Sequence, residues 1–347
     1  MRNERTLSIQ RLHPIERKFV DETVLQCSWS SATDTVAIIT ADGKLHVATV
    51  QTFKKPISIL AHASGALRVA WSPDGNLIAT TGQDGALRIW RPDDLGLVVE
   101  HKLGAHWVGE LAWLSGEVVA AGVGKHLFVV GVGKPTVREI ASFENTITGI
   151  AWRSEQELVI TTYGKALRLN VAREGEDVVG RFEYPEAMLL LKLSPDRQFA
   201  AIGCQDSAAR VWTVSEDNDA VQMSGQQEKV QVLSWSVDSE HLAMSGGAEI
   251  SVWSFAGSGP RDTKPIQLQG HRDIVVAANF APKGKRLASV DKSGVLCVWD
   301  ITRSTETPVA AGRNKSTIYT VEWSADGNYL ITGDQDGSAA LWNVSRV

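Results

Sequence analysis

A repeating unit of about 40 residues runs through the chain and restricts its fold more than any other feature. Each copy has an apolar stretch, a turn based on Trp-Ser-x-Asp-Gly, a second apolar stretch, an Asp-Gly turn and a third apolar stretch ending in Trp. The pattern is clearest at residues 67–90, "LRVAWSPDGNLIATTGQDGALRIW", and 319–342, "YTVEWSADGNYLITGDQDGSAALW". Its first-Trp position falls at Trp29, Trp71, Trp113, Trp152, Leu193, Trp235, Phe280 and Trp323. We therefore predict eight copies of one structural unit, which we number repeats 1 to 8.

The residues of each unit are typical of short β-strands joined by tight turns. The apolar stretches are rich in Val, Ile, Leu, Ala and Thr, which favour strands. Asp and Gly in "SPDGN" (72–76) and "SADGN" (324–328) suit hairpin turns, because both accept positive φ at little cost. Helical periodicity is absent, and no change of composition divides the chain. We expect a single all-β domain over residues 1–347, in which neighbouring units cover each other's sheet faces.

The repeats resemble those of the WD-repeat (WD40) β-propeller family over nearly the whole chain. The strongest matches are Trp-Ser-Pro-Asp-Gly at 71–75, Gly-His at 270–271, Asp-Gly six residues before Trp at 84–90 and 336–342, and Trp-Asp at 299–300. The resemblance implies a closed propeller, and eight repeats predict eight four-stranded blades. Seven blades, the commoner number in the family, would require one unit to be discarded. The weakest unit, at 113–133, still keeps its spacing.

The resemblance also implies a structural tetrad of His, Ser or Thr, Asp and Trp, which tethers a loop to a strand through buried hydrogen bonds. Repeat 2 matches it in full with His62, Thr80, Asp84 and Trp90. Repeat 7 keeps His271, Ser289 and Trp299 but has Ser293 where Asp is expected. Repeat 8 keeps Thr332, Asp336 and Trp342, with Asn314 at the His position. Repeats 3 and 4 lack both the Asp and the closing Trp, which is typical of a divergent member of the family.

The two ends of the chain predict how the ring closes. After Trp342 no residues remain for the outer strand of the last blade. The segment "TLSIQRL" (6–12) precedes the first inner strand and has no partner in repeat 1. We therefore expect residues 6–12 to supply the missing strand and to close the ring with residues 316–347.

Composition limits the location and the partners of the protein. A net charge of −5 and a pI of about 5.9 argue against a whole-chain nucleic-acid or anionic-membrane binder. No apolar run reaches membrane-spanning length, and the start lacks the apolar segment of a secretory signal. Three scattered cysteines, Cys27, Cys204 and Cys297, suit neither a disulfide framework nor a zinc motif. We expect a cytoplasmic protein that has no membrane partner.

Motifs of catalysis and cofactor binding are absent from the sequence. It contains no phosphate-binding P-loop and no G-x-S-x-G nucleophile elbow. His62, His106 and His271 fall at the Gly-His slot that the resemblance assigns to structure. "HKLGAH" (101–106) brings two histidines close together, but no third metal ligand is near. We predict no catalytic residues, no metal, no cofactor and no small-molecule substrate.

Trp107 is the one tryptophan of twelve outside the repeat positions. The resemblance places it in a loop leading to the inner strand of repeat 3, on the top face around the central channel. It either anchors a partner, since Trp is favoured at interface hot spots, or packs between repeats 2 and 3. Four further candidates for partner binding lie near the same rim by register: Arg68, Arg272, Asp273 and Tyr319.

Charge is distributed unevenly along the chain. Residues 173–249 hold 6 basic and 14 acidic residues, whereas residues 261–315 hold 10 and 5. Lys283, Lys285 and Arg286 lie in the turn "PKGKR", which the resemblance places on the bottom face. These segments are either ordinary solvated loops or a surface that steers a charged partner.

A non-enzymatic scaffold that binds a protein or peptide, within a multi-protein assembly, is the function that these patterns favour. Two alternatives stay open. One is a propeller enzyme that holds a metal or cofactor in its central channel. The other is a reader of nucleic acid or modified peptides that uses the basic sector at 261–315, although the net charge disfavours nucleic acid.

Overall fold

The structure is a computed structural model that describes residues 9–347 except 21, 135, 173, 174, 176, 304 and 305. Within this part of the chain every helix or strand assigned is a β-strand, so the all-β prediction is confirmed. None of these residues belongs to a helix long and apolar enough to cross a membrane.

The strands follow one another at short intervals from Gln10 to Asn343. The first eleven are β1 (Gln10–Arg11), β2 (Pro14–Phe19), β3 (Val24–Trp29), β4 (Thr35–Thr40), β5 (Lys44–Thr49), β6 (Ile57–Leu60), β7 (Ala66–Trp71), β8 (Ile78–Gly82), β9 (Ala86–Trp90), β10 (Leu97–Lys102) and β11 (Val108–Ser115). The next ten are β12 (Val118–Val123), β13 (His126–Gly131), β14 (Thr136–Ser142), β15 (Gly149–Trp152), β16 (Glu157–Asn170), β17 (Val178–Leu193), β18 (Phe199–Cys204), β19 (Ala209–Thr213), β20 (Ala220–Met223) and β21 (Val232–Trp235). The last ten are β22 (His241–Ser245), β23 (Ile250–Ser254), β24 (Ile266–Leu268), β25 (Val275–Phe280), β26 (Arg286–Asp291), β27 (Val295–Asp300), β28 (Ala310–Arg313), β29 (Ile318–Trp323), β30 (Tyr329–Asp334) and β31 (Ser338–Asn343).

The described strands form seven sheets, so the prediction of eight blades is wrong. Five sheets have four strands: β3–β6, β7–β10, β11–β14, β21–β24, and β2 with β29–β31. A sixth sheet joins β25–β28 to β1. The seventh contains six strands, β15–β20, and carries both repeat 4 and repeat 5. The propeller therefore has seven blades, one of which is formed by two repeats.

One long strand, β17, explains why repeats 4 and 5 merge. β16 is not such a strand, because it folds back at Gly164 (φ +78°) and the backbone N–H of Val171 donates to the carbonyl of Gln156 at 2.8 Å. β17 is the outer strand of repeat 4 where it pairs with β16, and the inner strand of repeat 5 where it pairs with β18. The connection that separates other repeats is therefore absorbed into one extended strand. Repeat spacing does not reveal this, because a residue interval is the same whether a connection turns or stays extended.

The N-terminal strand meets the C-terminal strand, although not at the residues predicted. β2 pairs antiparallel with β31, from Pro14 opposite Trp342 to Phe19 opposite Ser338. Gln10 and Arg11 instead pair in parallel with Ala310 and Ala311 of β28 in the neighbouring sheet. The predicted segment 6–12 therefore lies one strand too early. Residues 6–8 of that segment fall outside the described residues.

The core lies between the sheets, around a circle of inner strands. The inner strand of each repeat contacts that of the next, and β29 of repeat 8 contacts β3 of repeat 1. One hydrophobic cluster joins Trp29 and Ile38 of repeat 1 to Ile331 and Leu341 of repeat 8. We call the face where the inner strands begin the top, and the face where each hairpin leads from the inner to the second strand the bottom.

Tryptophan indoles tie neighbouring repeats together beneath this circle. At five of the repeat boundaries the first Trp donates its indole N–H to a carbonyl on the preceding inner strand. The pairs are Trp71–Ser28 (2.9 Å), Trp113–Ala70 (3.1 Å), Trp152–Ala112 (2.9 Å), Trp235–Lys192 (3.1 Å) and Trp323–Asn279 (2.8 Å). The side chain that defines the repeat thus packs in the core and also fixes the register of adjacent inner strands.

Candidate interaction surfaces

The top-face loop of repeat 2 is fixed by a buried chain of hydrogen bonds. His62 Nδ1 lies 2.9 Å from Asp84 Oδ1, and His62 Nε2 lies 2.9 Å from Thr80 Oγ1. Trp90 donates its indole N–H to the same hydroxyl at 2.8 Å. Burial lowers the pKa of His62, while its contact with Asp84 opposes that shift. Both imidazole nitrogens are engaged, so this histidine serves structure rather than ligand binding.

Repeats 7 and 8 build related networks with an aspartate that the sequence pattern missed. His271 contacts Ser289 and Asp291, at 2.6 and 2.9 Å, so Asp291 takes the role expected at position 293. In repeat 8 the amide of Asn314 donates to Asp334 rather than to Asp336, over 3.3 Å. Both aspartates lie two residues after the Ser or Thr, whereas Asp84 lies four residues after Thr80. An Asp at this second spacing is the signal that could have found them.

Repeat 5 replaces the histidine network with a charged one. Tyr184 stands nine residues before Leu193, as His62 stands nine before Trp71. Its hydroxyl donates to Asp206 at 2.8 Å, and the Arg210 guanidinium lies 3.3 Å from the centre of its ring. Arg210 also donates to both oxygens of Asp206, at 2.9 and 2.7 Å. This more exposed network joins the merged sheet near the top face.

Apolar side chains line part of the channel mouth on the top face. Leu25, Leu67 and Tyr319 occupy the same position, four residues before the first Trp, on the inner strands of repeats 1, 2 and 8. Leu25 and Tyr319 are each 38% exposed, and Leu67 is partly buried. In repeat 3 this position is Gly109, and Trp107, two residues earlier, is 59% exposed. We call Tyr319, Leu25, Leu67 and Trp107 the apolar arc.

Trp107 borders an open hollow between repeats 3 and 4. The hollow has a volume of about 400 Å³. Its lining is mostly apolar and small: Ala105, His106, Trp107, Gly109, Gly122, Gly124, Thr146 and Ile147. The space beside Gly109 is open, since a Cβ at this position would meet no heavy atom within 4 Å. A partner could therefore contact the exposed indole of Trp107 and insert an apolar side chain into the adjacent hollow.

The charged candidates of the top rim have different surroundings. Arg68 donates to Glu110 of the next repeat at 2.8 Å, so it is an ion pair between inner strands. Asp273 accepts the backbone N–H of Ile274 at 2.7 Å, which stabilises its own loop. Arg272 is exposed. The structure brings Arg68 and Trp107 to repeats 2 and 3, and Arg272, Asp273 and Tyr319 to repeats 7 and 8, with Leu25 of repeat 1 between the two groups.

Charged side chains from opposite sides of the ring face the channel. Burial raises the pKa of Glu322 on β29 to about 7, although Lys192 on β17 and a hydrogen bond from Asn279 act in the other direction. Burial also raises the pKa of Glu110, against the attraction of Arg68 and Lys192. Lys192 is exposed and attracts both carboxylates. The channel therefore holds acidic and basic groups together.

Two of the three basic residues in the bottom-face turn 282–286 are engaged by other repeats of the same chain. Lys285 binds Asp238 at 3.3 Å and Glu240 at 2.9 Å, so it neutralises the acidic turn of repeat 6. Arg286 lies over the ring of Trp323 and donates to backbone carbonyls of repeat 8. Lys283 is exposed. The partners of Lys285 and Arg286 come from other repeats, which the local charge pattern could not reveal.

One group of side chains has the ligand types of a metal site. The ligand atoms of Asp238, Glu240 and His241 lie within 4.8 Å of one another. Burial lowers the pKa of His241, and the nearby Lys285 charge adds to this shift. Lys285 already balances both carboxylates, so they are satisfied as an ion-pair network, whereas His241 Nδ1 is buried without a hydrogen-bond partner among the described residues.

The thiols of the chain are unsuited to nucleophilic chemistry. Cys27, Cys204 and Cys297 are free and buried. Burial raises the pKa of Cys204 to about 11 and that of Cys297 to about 12, and it raises the pKa of Cys27 well above its usual value. A thiol must lose its proton to act as a nucleophile or metal ligand, so all three act as small apolar side chains.

Three repeats of the chain match a known family, and they are the repeats with histidine- or asparagine-based networks. The family model "WD domain, G-beta repeat" matches residues 54–91, 263–300 and 307–343. These ranges contain the networks of repeats 2, 7 and 8. Repeats 3 to 5, where these networks are lost or replaced, lie outside the match.

Curated relatives resemble parts of this chain. Protein HIR1 of Mycosarcoma maydis is 23% identical over 320 residues, which cover 82% of this chain and 28% of that protein. The 66 kDa stress protein of Physarum polycephalum is 27% identical over 111 residues, covering 32% of this chain and 18% of that protein. WD repeat-containing protein 1 of Gallus gallus is 22% identical over 209 residues, covering 47% and 34%. Each alignment thus covers about a third or less of the relative's own length.

Solved structures match the fold over almost the whole chain. The C-terminal WD40 domain of Sif2 aligns with a TM-score of 0.81 at 15% identity, covering 97% of this chain and 99% of that one. The computationally designed Ika8 protein also aligns with a TM-score of 0.81, at 16% identity, covering 94% and 98%. These alignments show the fold of a WD40 propeller, and the matched repeats and the WD-repeat relatives support a WD-repeat family.

Proposed function

We propose that this propeller is a non-enzymatic scaffold that binds a protein or peptide partner through its top face, within a multi-protein assembly. The observation that carries the proposal is the apolar arc around the channel mouth. Trp107, which is 59% exposed directly before the inner strand β11, is the kind of side chain that dominates interface energetics. The repeats beneath it supply a rigid base, and loops on such a base can change without disturbing the sheets.

The chemistry of the polar side chains supports a binding role over catalysis. His62 and His271 are held by partners at both ring nitrogens. The thiols have raised pKa values and are buried. Free thiols also suit a reducing compartment, and we propose a cytoplasmic location on that ground.

Affinity capture with matched variants tests the scaffold proposal. Wild-type protein, Trp107→Ala and the double variant Leu25→Ser/Tyr319→Ala are used as bait in lysate of the native organism. Leu60→Ser is the control, because Leu60 is also exposed, at 56%, but lies on the outer strand β6. We expect the same partners with wild type and Leu60→Ser, and their loss with both top-face variants. Retention of every partner by the top-face variants would refute the assignment of this face.

A further inference from the structure

The boundary between repeats 8 and 1 contains a hollow on the bottom face. Its volume is about 350 Å³, and its walls include the rings of Trp29 and Tyr329 and the carboxylates of Asp34 and Asp326. Trp29 is the side chain that should tie these two repeats together. It is only 9% exposed, yet its buried indole N–H has no hydrogen-bond partner among the described residues. The first tryptophans of five other repeats all donate to the preceding inner strand.

The neighbouring boundary, between repeats 7 and 8, shows what fills such a space. There the guanidinium of Arg286 lies 5.1 Å from the centre of the Trp323 ring. It donates to the carbonyl oxygens of Gly327 and Val344, at 2.8 and 2.9 Å. An internal arginine therefore stacks on the first Trp of repeat 8 and is held by two backbone acceptors of the same repeat.

The walls of the hollow correspond to the residues that hold Arg286. Trp29 corresponds to Trp323 as the first Trp of its repeat. Thr33 follows Trp29 by four residues, as Gly327 follows Trp323, and Val50 follows the closing position Ala48 by two, as Val344 follows Trp342. Thr33 and Val50 both line the hollow. Tyr329 stands at the strand position of Arg286, so this boundary has the receiving residues but no arginine.

The charge of the hollow suits the missing group. Asp34 is exposed and has no ion-pair partner among the described residues. Asp326 is exposed on the opposite wall, and hydrogen bonds from Ser324 and Asn328 keep its pKa below the usual value. The two side chains thus place exposed carboxylates on opposite walls of the hollow. Two carboxylates beside two aromatic rings are complementary to a planar cation.

We propose that this hollow binds an arginine side chain of a partner protein, in the manner of Arg286 on Trp323. Guanidinium is favoured over ammonium because it stacks on an aromatic face and donates several hydrogen bonds in fixed directions. The proposal rests on the interaction function proposed above, since it requires a protein partner. It uses the bottom face and none of the residues of the apolar arc, so the two assignments can fail separately.

Nuclear magnetic resonance of the tryptophan indoles tests this site directly. The protein is labelled with ¹⁵N-tryptophan, the Trp29 indole signal is assigned with Trp29→Phe, and the blocked peptide Ac-Gly-Arg-Gly-NH2 is titrated into it. We expect a saturable shift of the Trp29 signal in the millimolar range. The corresponding lysine and citrulline peptides should bind roughly tenfold more weakly, since each loses part of the charge-assisted hydrogen bonding.

Two variants separate occupancy of the hollow from a general charge effect. Tyr329→Arg places a guanidinium where repeat 7 has one, so we expect the arginine peptide to lose its effect on Trp29. Asp34→Asn, at an exposed position, should weaken the titration several-fold while leaving the remaining indole signals in place. Absence of a saturable Trp29 shift with the arginine peptide, or equal shifts with lysine and citrulline peptides, would overturn the proposal.

Discussion

Repeats 2 and 4 have nearly the same length and spacing but form different structures. In repeat 2 a buried histidine, threonine, aspartate and tryptophan join the top loop to two strands. Repeat 4 lacks this network, and its outer strand β17 runs on as the inner strand of repeat 5, whereas the outer and inner strands on either side of the top loop of repeat 2 are separate. The difference teaches that the repeat interval alone does not determine whether a repeat forms its own sheet. Loss of the tetrad does not by itself merge sheets, because repeats 3 and 6 also lack it and form separate four-stranded sheets.

Other repeats fall between these two extremes. Repeat 8 keeps the buried Trp342–Thr332 bond, at 3.0 Å, although asparagine replaces histidine. Repeat 6 has Met244 where repeat 2 has Thr80, and the indole N–H of its closing Trp253 is buried without a partner in the described structure. Each loss removes a directional bond while the apolar packing remains.

The largest expected effect separates a closing tryptophan with a network from one without. Trp342 is fully buried, whereas Trp253 is partly exposed and donates no hydrogen bond within the described structure. Trp342→Ala should lower the free energy of unfolding by about 3–5 kcal/mol, as large core truncations do. Trp253→Ala should cost clearly less. Chemical denaturation measures both, and equal losses would contradict the distinction.

The hydroxyl of Thr80 tests the network itself at constant side-chain volume. Thr80→Val leaves His62 Nε2 and the Trp90 indole N–H without their shared partner. Leaving buried polar groups unpaired should cost about 1–3 kcal/mol. Thr81→Val is the matched control, because Thr81 is also fully buried but its hydroxyl has no hydrogen-bond partner in the described structure.

We expect Thr81→Val to be neutral or slightly stabilising in the same denaturation experiment. If the two valine variants lose equal stability, the network contributes nothing beyond packing.

The channel brings a repeat that has a network close to the merged sheet, because Glu322 of repeat 8 interacts electrostatically with Lys192 of the merged sheet. Burial raises the Glu322 pKa from its usual 4.5 to about 7. The folded protein therefore binds more protons than the unfolded chain between these values, so this group lowers stability as pH rises through that window. Glu322→Gln should raise stability at pH 8 by about 1–2 kcal/mol and have little effect near pH 5. Thermal melts at both pH values test this, and a pH-independent effect would be inconsistent with the assignment.

The smallest effect should come from the substitute network of repeat 5. Tyr184→Phe removes the hydroxyl that donates to Asp206 but leaves the Arg210 contacts with that carboxylate in place. Since this network is more exposed than that of repeat 2, we expect the melting temperature to fall less than it does for Thr80→Val. A larger fall would show that the charged network is as important as the buried tetrad.

The fold was predictable from sequence to the extent that local chemistry determines it. Asp-Gly turns and strand-forming stretches locate most hairpins, and the tryptophan pattern locates the core. The merged sheet was not predictable from intervals, because residues 178–193 keep the same residue count whether the chain turns between repeats 4 and 5 or continues as one strand, β17. The closing strand was placed too early because both 6–12 and 14–19 contain strand-forming residues, and only pairing with β31 distinguishes them.

The candidate surfaces also include features that local sequence predicts and features that depend on contacts between repeats. Trp107 could be identified as a surface candidate from sequence, because it is the one tryptophan outside the repeat positions. The roles of Lys285 and Arg286 depend on side chains from other repeats, and the unpaired Trp29 depends on how repeats 8 and 1 meet. Such contacts are set by the ring as a whole.

Hydrogen exchange measured by mass spectrometry tests most directly the claim that the tetrads stabilise the sheets that contain them. We expect backbone amides of β8, β9, β26 and β27 to exchange more slowly than those of β12, β13 and the central part of β16, because buried networks restrain local opening. In Thr80→Val the protection of β8 and β9 should fall selectively. Equal protection of both regions in wild-type protein, or faster exchange in the tetrad-bearing strands, would contradict the claim.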